Sequence, residues 1–326
     1  MLLPRYVPTK RTSSSCSGDA LPTAPGAVPD LKGYSDQRQA QLSCGRSEGS
    51  PNEGTTLPTF PWLADLNARQ LEAVTHGDGP VLVVAGAGSG KTRTLAYRVA
   101  YLIATGTDPS RILLLTFTRR AAEEMLRRAS EIIGRSASAN GRVWGGTFHA
   151  TANRLLRIYG PAAGLEGDFT VMDRSDAEDM LDMIRHDLGL DSRDRRFPRK
   201  QTCMDMYSRC VNTSEQLGDV VKRHFPWCTD CADDLKLLFR RYVERKQEHN
   251  VLDYDDLLLY WAHLVSDDAI SREMGSRFDQ ILVDEYQDTN RIQSEILKGM
   301  RRYNQNIMAV GDDAPSMYSF RDTAWV

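Results

Sequence analysis

The sequence predicts an α/β protein in which a parallel sheet is interrupted by a mostly helical insertion. Five short apolar runs have the length and composition of buried strands, and segments with helical periodicity separate them; they are residues 81–85, 112–116, 143–147, 281–284 and 307–310. Such alternation is typical of a parallel sheet covered by helices on both faces. Between His149 and about Gln280 these runs nearly vanish, and amphipathic segments at 177–188, 233–247 and 254–264 replace them.

Composition divides the chain further. Residues 1–58 contain 7 of the 14 prolines and no apolar periodicity, which predicts a disordered tail. We expect residues 59–151 and 246–326 to form the α/β domain, and residues 152–245 to form the inserted helical domain.

The overall charge and hydropathy exclude several classes of protein. With 41 Lys+Arg against 44 Asp+Glu, the net charge is −3, so a partner of negative charge must meet a local basic patch and not the field of the whole molecule. No run approaches the roughly 20 apolar residues of a membrane span, and Pro4, Arg5 and Pro8 interrupt any secretory leader. Six cysteines are too few for a disulfide scaffold. We therefore expect a cytoplasmic protein without a membrane partner.

The first predicted strand leads directly into a phosphate-binding loop with the sequence Gly86-Ala87-Gly88-Ser89-Gly90-Lys91-Thr92. In such a loop the glycines let backbone N–H groups surround a phosphate at a helix N-terminus, while the lysine reaches the β- and γ-phosphates. The threonine hydroxyl is suited to Mg²⁺. ATP and Mg²⁺ are the predicted cofactors; a glycine-rich turn that serves only as a tight connection is the alternative.

The fourth predicted strand ends in two acids, Asp284 and Glu285. Asp284 is the predicted metal ligand, and Glu285 is the candidate that orients or deprotonates the water attacking the γ-phosphate. The alternative is a strand end with two solvated acids. Lys91 and Asp284 can share one site only if the insertion returns the chain to the same sheet.

From residue 66 onward, ordered blocks resemble the superfamily 1 DNA helicases of the UvrD/Rep/PcrA type, whose motor domains have the RecA-like P-loop NTPase fold. Residues 66–74 resemble the Q motif, which implies that Gln70 reads the adenine edge. Asn67 and Gln70 also fit a capping box, and the two roles are compatible. The resemblance places Arg93 beside the base.

Residues 113–125 resemble motif Ia and residues 146–150 resemble motif Ib, which line the path of single-stranded DNA in this family. The resemblance therefore implies that Thr116, Phe117, Thr147 and His149 bind DNA, and an exposed aromatic ring suits base stacking. Considered alone, Phe117 and Phe148 are more typical of core aromatics, and His149 is more typical of a structural histidine.

Residues 284–290 match motif II, and residues 310–323 resemble motif III, which implies strand contacts by Tyr318, Phe320 and Arg321. Ala314 and Pro315 replace the Asp-Gln of that motif. Proline has neither a side-chain donor nor a backbone N–H, so we expect weaker coupling between hydrolysis and DNA.

The resemblance implies the N-terminal ATP-binding portion of a 3′→5′ DNA helicase, an ATP hydrolase that binds single-stranded DNA and single/double-strand junctions, with a nucleoid location and a role such as DNA repair. The chain stops at Val326, before the second RecA-like domain and its arginine fingers. Either another chain supplies that domain or it has been lost by truncation, and we expect slow hydrolysis without it. The alternative is a catalytically impaired nucleotide- and DNA-binding fragment. A P-loop NTPase unrelated to DNA fits the ordered motifs less well.

Three further features are given no role in the chemistry. Four cysteines, at 203, 210, 228 and 231, have residue types that bind zinc or an iron–sulfur cluster, but the first spacing is not that of a zinc knuckle. Residues 253–258 resemble a family block and equally suit a helix start. The basic run 193–200 is either a solvated loop or a contact with duplex DNA.

Overall fold

The computed structural model describes residues 60–134, 142–191 and 197–312. In chain order the first elements are α1 (Ala68–Thr75), β1 (Val81–Val84), α2 (Lys91–Ala104), β2 (Ile112–Thr116), α3 (Arg119–Ile133), β3 (Trp144–Thr147) and α4 (Phe148–Tyr159). There follow β4 (Thr170–Val171), α5 (Arg174–Asp187), α6 (Lys200–Thr213), α7 (Leu217–His224), α8 (Ala232–Glu248), β5 (Val251–Leu252), α9 (Tyr254–Leu264) and α10 (Asp268–Ser276). The last are β6 (Gln280–Val283), α11 (Arg291–Met300) and β7 (Ile307–Gly311).

Five strands form one parallel sheet in the order β1-β7-β6-β2-β3. The predicted strands are therefore confirmed within one or two residues at their ends. All five carboxyl ends point to the same edge of the sheet, so the residues that follow the strands meet there.

Helices cover both faces of the sheet, as predicted for an α/β fold. Alternate residues of β2 and β6 point to opposite faces, since side chains alternate along a strand. Leu114 and Leu282 pack with α2 and α3, whereas Leu113 and Ile281 pack with α4, α9 and α11. The second of these cores continues without interruption into the helices of the insertion.

The first strand differs from the prediction of a fully buried strand. Strand β1 lies at the edge of the sheet, where it pairs only with β7. Leu82 and Val84 are 53% and 48% exposed, whereas the inner strands β2, β6 and β7 are buried throughout. An apolar run does not distinguish an edge strand from a central one, because both carry the same residue types.

The segment between β3 and β6 is mostly helical, and its only strands among the described residues are the two-residue pair β4 and β5. The predicted helices at 177–188, 233–247 and 254–264 match α5, α8 and α9. None of the helices in the described ranges is both long enough and apolar enough to cross a membrane.

The block at 253–258 starts helix α9, as its residue types predicted. Asp253 is the N-cap and forms a capping box with Asp256. Both carboxylates are buried and bond the ammonium group of Lys246 on α8, at 2.7 and 2.6 Å. This buried ion cluster joins the end of the insertion to the helix that leads back towards the sheet.

Candidate functional site

The loop between β1 and α2 has the backbone of a phosphate-binding loop. Gly88 and Gly90 have φ angles of +77° and +87°, which L side chains rarely adopt. Gly90 is the N-cap of α2, so no side chain caps the helix, and residues 86–89 are exposed. The first N–H groups of a 14-residue helix therefore remain free for a ligand of negative charge.

Lys91 begins helix α2 and faces two acids across the carboxyl edge of the sheet. Its ammonium group bonds the carboxylate of Asp312 and lies 4.0 Å from the carboxylate of Glu285. The strand order explains this meeting, because β7 lies between β1 and β6 and Asp312 directly follows β7. Asp312 was not among the predicted site residues.

Asp284 directly follows strand β6, and its side chain is buried, with 5% of the residue exposed. Its backbone N–H donates to the carbonyl of Leu115 (2.9 Å), while its Oδ1 atom has no partner in the described structure. Burial and the neighbouring Glu285 raise the pKa of this carboxyl to about 6. A buried carboxylate oxygen without a donor is suited to a hard cation such as Mg²⁺. The alternative of two solvated acids is wrong for Asp284.

Glu285 adopts a left-handed backbone conformation, with φ +48° and ψ +47°. For a residue other than glycine this conformation is strained, and such strain tends to occur at functional sites. The Gln287 amide donates to the Glu285 carboxylate (2.7 Å) and accepts from the Asp312 N–H (2.9 Å). Gln287 thus connects the acid to the end of β7, and a Cβ at Gly311 would lie 2.7 Å from the Gln287 oxygen.

Gln70 contacts the phosphate-binding loop from helix α1. The capping box with Asn67 is present, as the residue types predicted. The Gln70 amide also donates to the carbonyl of Ser89 (3.1 Å), and the Arg93 guanidinium donates to the carbonyl of Asp65 (3.0 Å). Both side chains are thereby held beside the loop; their contacts with a base remain predictions.

The ends of β2 and β3 carry the residues predicted to bind single-stranded DNA. Thr116 is buried, and its hydroxyl donates to the carbonyl of Thr118 (2.7 Å). Phe117 follows it and is 54% exposed, so the interpretation of Phe117 as a core aromatic is wrong. Phe148 is buried against Trp261, so for Phe148 the core interpretation is correct.

Thr147 and His149 lie at the start of helix α4. The Thr147 hydroxyl caps the helix by accepting from the N–H of Ala150 (3.2 Å). His149 is half-buried against the ring of Tyr254, and burial lowers the pKa of its imidazole despite the opposing effect of Asp255. A neutral imidazole at this edge suits hydrogen bonding more than charge pairing with a phosphate.

A chain of amide side chains, not foreseen from the sequence, connects the acidic strand end to the insertion. The Asn290 amide donates to Asn212 on α6 (2.8 Å), and the Asn212 amide donates to Asp255 at the start of α9 (2.8 Å). Asn290 also caps α11 by accepting from the N–H of Gln293 (3.0 Å). The last residue of motif II is therefore held by a helix of the insertion.

Several predicted residues lie outside the described ranges: residues 1–58, Arg193, Arg195, Arg196, Ala314, Pro315, Tyr318, Phe320 and Arg321. From the basic run, Lys200 pairs with Asp179.

The cysteines of the insertion form no metal site in the described structure, where no group of three or more His, Cys, Asp or Glu is arranged to hold a metal ion. Burial raises the pKa of the Cys203 thiol to about 12 and that of the Cys210 thiol to about 11. These two thiols are protonated core residues at neutral pH.

The sequence model of the UvrD/REP helicase N-terminal domain matches residues 66–325. The chain is 35% identical over 259 residues to ATP-dependent DNA helicase PcrA of Leuconostoc citreum, covering 78% of this chain and 33% of the relative. It is also 35% identical over 281 residues to ATP-dependent DNA helicase UvrD1 of Mycobacterium leprae (strain TN), covering 79% and 34%. The chain thus spans about a third of the length of these curated relatives. On this match and on the five-stranded parallel sheet that carries its motifs, the chain belongs to the UvrD/REP helicase family.

Proposed function

We propose that the chain is the ATP-binding portion of a 3′→5′ DNA helicase and that it binds ATP with Mg²⁺ and single-stranded DNA. The observation that carries this proposal is the meeting of Lys91, Asp284, Glu285 and Asp312 beside the free N-terminus of α2. The exposed ring of Phe117 lies at the same edge of the sheet.

In this proposal the phosphate chain of ATP lies on residues 86–92, where the backbone N–H groups of the loop donate to it. Lys91 would exchange the carboxylate of Asp312 for a phosphate oxygen, and Thr92 and Asp284 would hold the metal. Mg²⁺, when bound, neutralises charge on the β- and γ-phosphates. Gln70 and Arg93 are proposed to contact the base, and their hydrogen bonds to Ser89 and Asp65 support this by holding both side chains beside the loop.

Glu285 is the proposed residue that orients the attacking water and accepts its proton. The Gln287 amide holds one carboxylate oxygen of Glu285, and Lys91 lies 4.0 Å from that oxygen. The second carboxylate oxygen has no partner among the described residues, so it is available to the water.

Single-stranded DNA, alone or at a junction with a duplex, is the proposed polymer partner. Phe117 would stack on a base, while Thr116, Thr147 and His149 lie at the strand ends beside it. Tyr318, Phe320 and Arg321 are proposed to extend these contacts. Such a protein acts where the DNA is, in the cytoplasm and on the nucleoid of a bacterium.

Productive hydrolysis is proposed to require a second RecA-like domain, from another chain or from a longer form of this one. Residues 59–151 and 246–326 would form the first motor domain, and residues 152–245 its inserted domain. Arginine stabilisation of the transferring phosphoryl group contributes about 10³–10⁵ in rate in well-studied NTPases. The alternative, a fragment that binds nucleotide and DNA without turnover, is favoured for the isolated chain by Pro315.

Steady-state ATPase activity with and without single-stranded DNA tests the proposal, with Lys91→Ala as the blank and strand binding measured on the same samples. DNA-stimulated turnover above the blank supports the helicase portion. Strand and nucleotide binding without turnover supports the impaired fragment. Absence of both kinds of binding contradicts the proposed function.

A further inference from the structure

A groove lined by arginines runs beside β3, at the opposite edge of the sheet from β1. It has a volume of about 270 Å³ and lies between β3 and the first turns of α3 and α4. Arg119, Arg142 and Arg154 line it, together with Gly145, Gly146 and a single acid, Glu123. We call this set the arginine groove.

Among the described residues, no carboxylate neutralises the arginines of this groove. Arg119, Arg142 and Arg154 are all exposed, and none of them has a carboxylate partner in the described structure. Residues 135–141, which precede the groove, contain no acidic residue that could supply one. Burial and the like charges of Arg142 and Arg277 lower the pKa of Arg154. The cations therefore repel one another, and a ligand of negative charge would relieve that repulsion.

Two neighbouring features add to the positive potential of the arginine groove. Arg119 and Glu123 lie in the first turns of α3, and Ala150 lies in the first turn of α4. Helix N-termini carry partial positive charge and favour anions. The guanidinium carbons of Arg154 and Arg277 lie 3.8 and 4.8 Å from the ring centre of Trp144. Because these cations already cover Trp144, its ring is not offered to a base, and the groove is suited to phosphates.

We propose that the arginine groove holds the phosphate backbone of a nucleic-acid strand that continues from the edge bearing Phe117, Thr147 and His149. This inference rests on the proposed strand binding at that edge and extends its contact surface. Gly146 and Ala150 line the groove and are sequence neighbours of Thr147 and His149, so the two surfaces are continuous.

The length of β3 determines how long a DNA strand must be to reach both surfaces. At about 3.3 Å per residue, Arg142 lies at most about 16 Å from Thr147. That distance corresponds to about 5 nucleotides at the 3.4 Å rise of a stacked strand. An oligo-dT of about 2 nucleotides would therefore occupy the Phe117 edge without reaching Arg142, and one of about 20 would cover both surfaces.

Fluorescence anisotropy with labelled oligo-dT of both lengths, over a series of salt concentrations, tests this inference. Arg142→Gln with Arg154→Gln removes two cations from the groove. The matched control, Arg209→Gln with Arg240→Gln, removes two exposed arginines of the helical insertion. For the long strand, the slope of log K against log salt should fall by about 1.4 in the groove variant, because each single-strand phosphate contact contributes about 0.7. This is an affinity about 25-fold lower at 0.1 M salt.

The groove variants should bind the short strand as tightly as the unmodified chain does. The control variant should bind both strands as tightly as the unmodified chain does. Since Arg154 packs on Trp144, the single variant Arg142→Gln serves as a second test, with an expected slope change of about 0.7. Phe117→Ala should weaken the binding of DNA strands of both lengths. A normal slope in both groove variants, together with a clear effect of Phe117→Ala, would overturn the groove inference and leave the proposed function intact.

Two other results also overturn the inference. If the unmodified chain binds neither strand, the proposed strand binding fails and the groove inference fails with it. If the groove variants bind DNA normally but lose affinity for a labelled decaglutamate peptide, the groove serves an acidic protein segment.

Discussion

At the scale of single residues, the site buries a side chain that is usually solvated. Asp284 shows this most clearly, because its carboxyl is buried beside Glu285 and one of its oxygens has no donor among the described residues. In the folded protein the ionised form is therefore penalised, which raises the pKa of Asp284 to about 6. A buried carboxylate of this kind costs stability when no cation is bound.

The variant Asp284→Asn should accordingly stabilise the fold. The pKa is raised in the folded state, so the destabilising effect of Asp284 is present above pH 6 and absent below about pH 4. A shift of roughly 2 pKa units corresponds to about 2–3 kcal/mol. Urea unfolding without Mg²⁺ and nucleotide should show this gain at pH 8 and almost none at pH 4. Equal stability of the two proteins at pH 8 would contradict the account of Asp284.

Phe117→Ala tests the other side of the site. Because this ring is 54% exposed, its loss should change the free energy of unfolding by no more than about 0.5 kcal/mol. Binding of single-stranded DNA should weaken by about 1–3 kcal/mol through the lost stack. Trp227→Ala, at a ring that is 61% exposed in the insertion, is the matched control and should leave strand binding unchanged. An unaltered dissociation constant for Phe117→Ala would remove that residue from the DNA path.

At the scale of elements, the local motifs could be predicted from the sequence, but the residues that lie beside them in the fold could not. The loop at 86–92 and the acids at 284–285 are short segments whose spacing already specifies their chemistry. The position of Asp312 in the site could be recognised only from the strand order, which places the end of β7 between the ends of β1 and β6. Similarly, nothing in the sequence near Asn212 indicates that α6 packs where its amide meets Asn290.

The hydrogen bond between Asn290 and Asn212 yields a prediction about elements. Asn290→Asp preserves the cap of α11, because aspartate is an equally good N-cap, but it replaces the amide donor with an oxygen that faces the Asn212 oxygen. The free energy of unfolding should fall by about 1–3 kcal/mol. Asn67→Asp makes the same change at the cap of α1 and should alter stability by about 0.5 kcal/mol or less. Similar effects of the two substitutions in urea unfolding would show that the bond does not support α11.

At the scale of the whole molecule, the described residues form a sheet whose carboxyl edge carries both proposed binding surfaces. The proposed nucleotide contacts lie at the ends of β1, β6 and β7, and the proposed DNA contacts lie at the ends of β2 and β3. A parallel α/β sheet commonly binds its ligands at this edge, and the family's second domain would face it in our proposal. The alternation of strands and helices was enough to predict this architecture. The exposed side of β1 was not predicted, because burial depends on the neighbours that an element finds.

Binding of a fluorescent ATP analogue, with and without Mg²⁺, tests the central claim most directly. The unmodified chain should bind the analogue more tightly with Mg²⁺, and this gain should fade as the pH drops below about 6, where Asp284 becomes protonated. Asp284→Asn should lose the gain from Mg²⁺, and Lys91→Ala should lose most of the affinity. If Lys91→Ala binds the analogue as tightly as the unmodified chain, residues 86–92 are not a nucleotide site and the account is wrong.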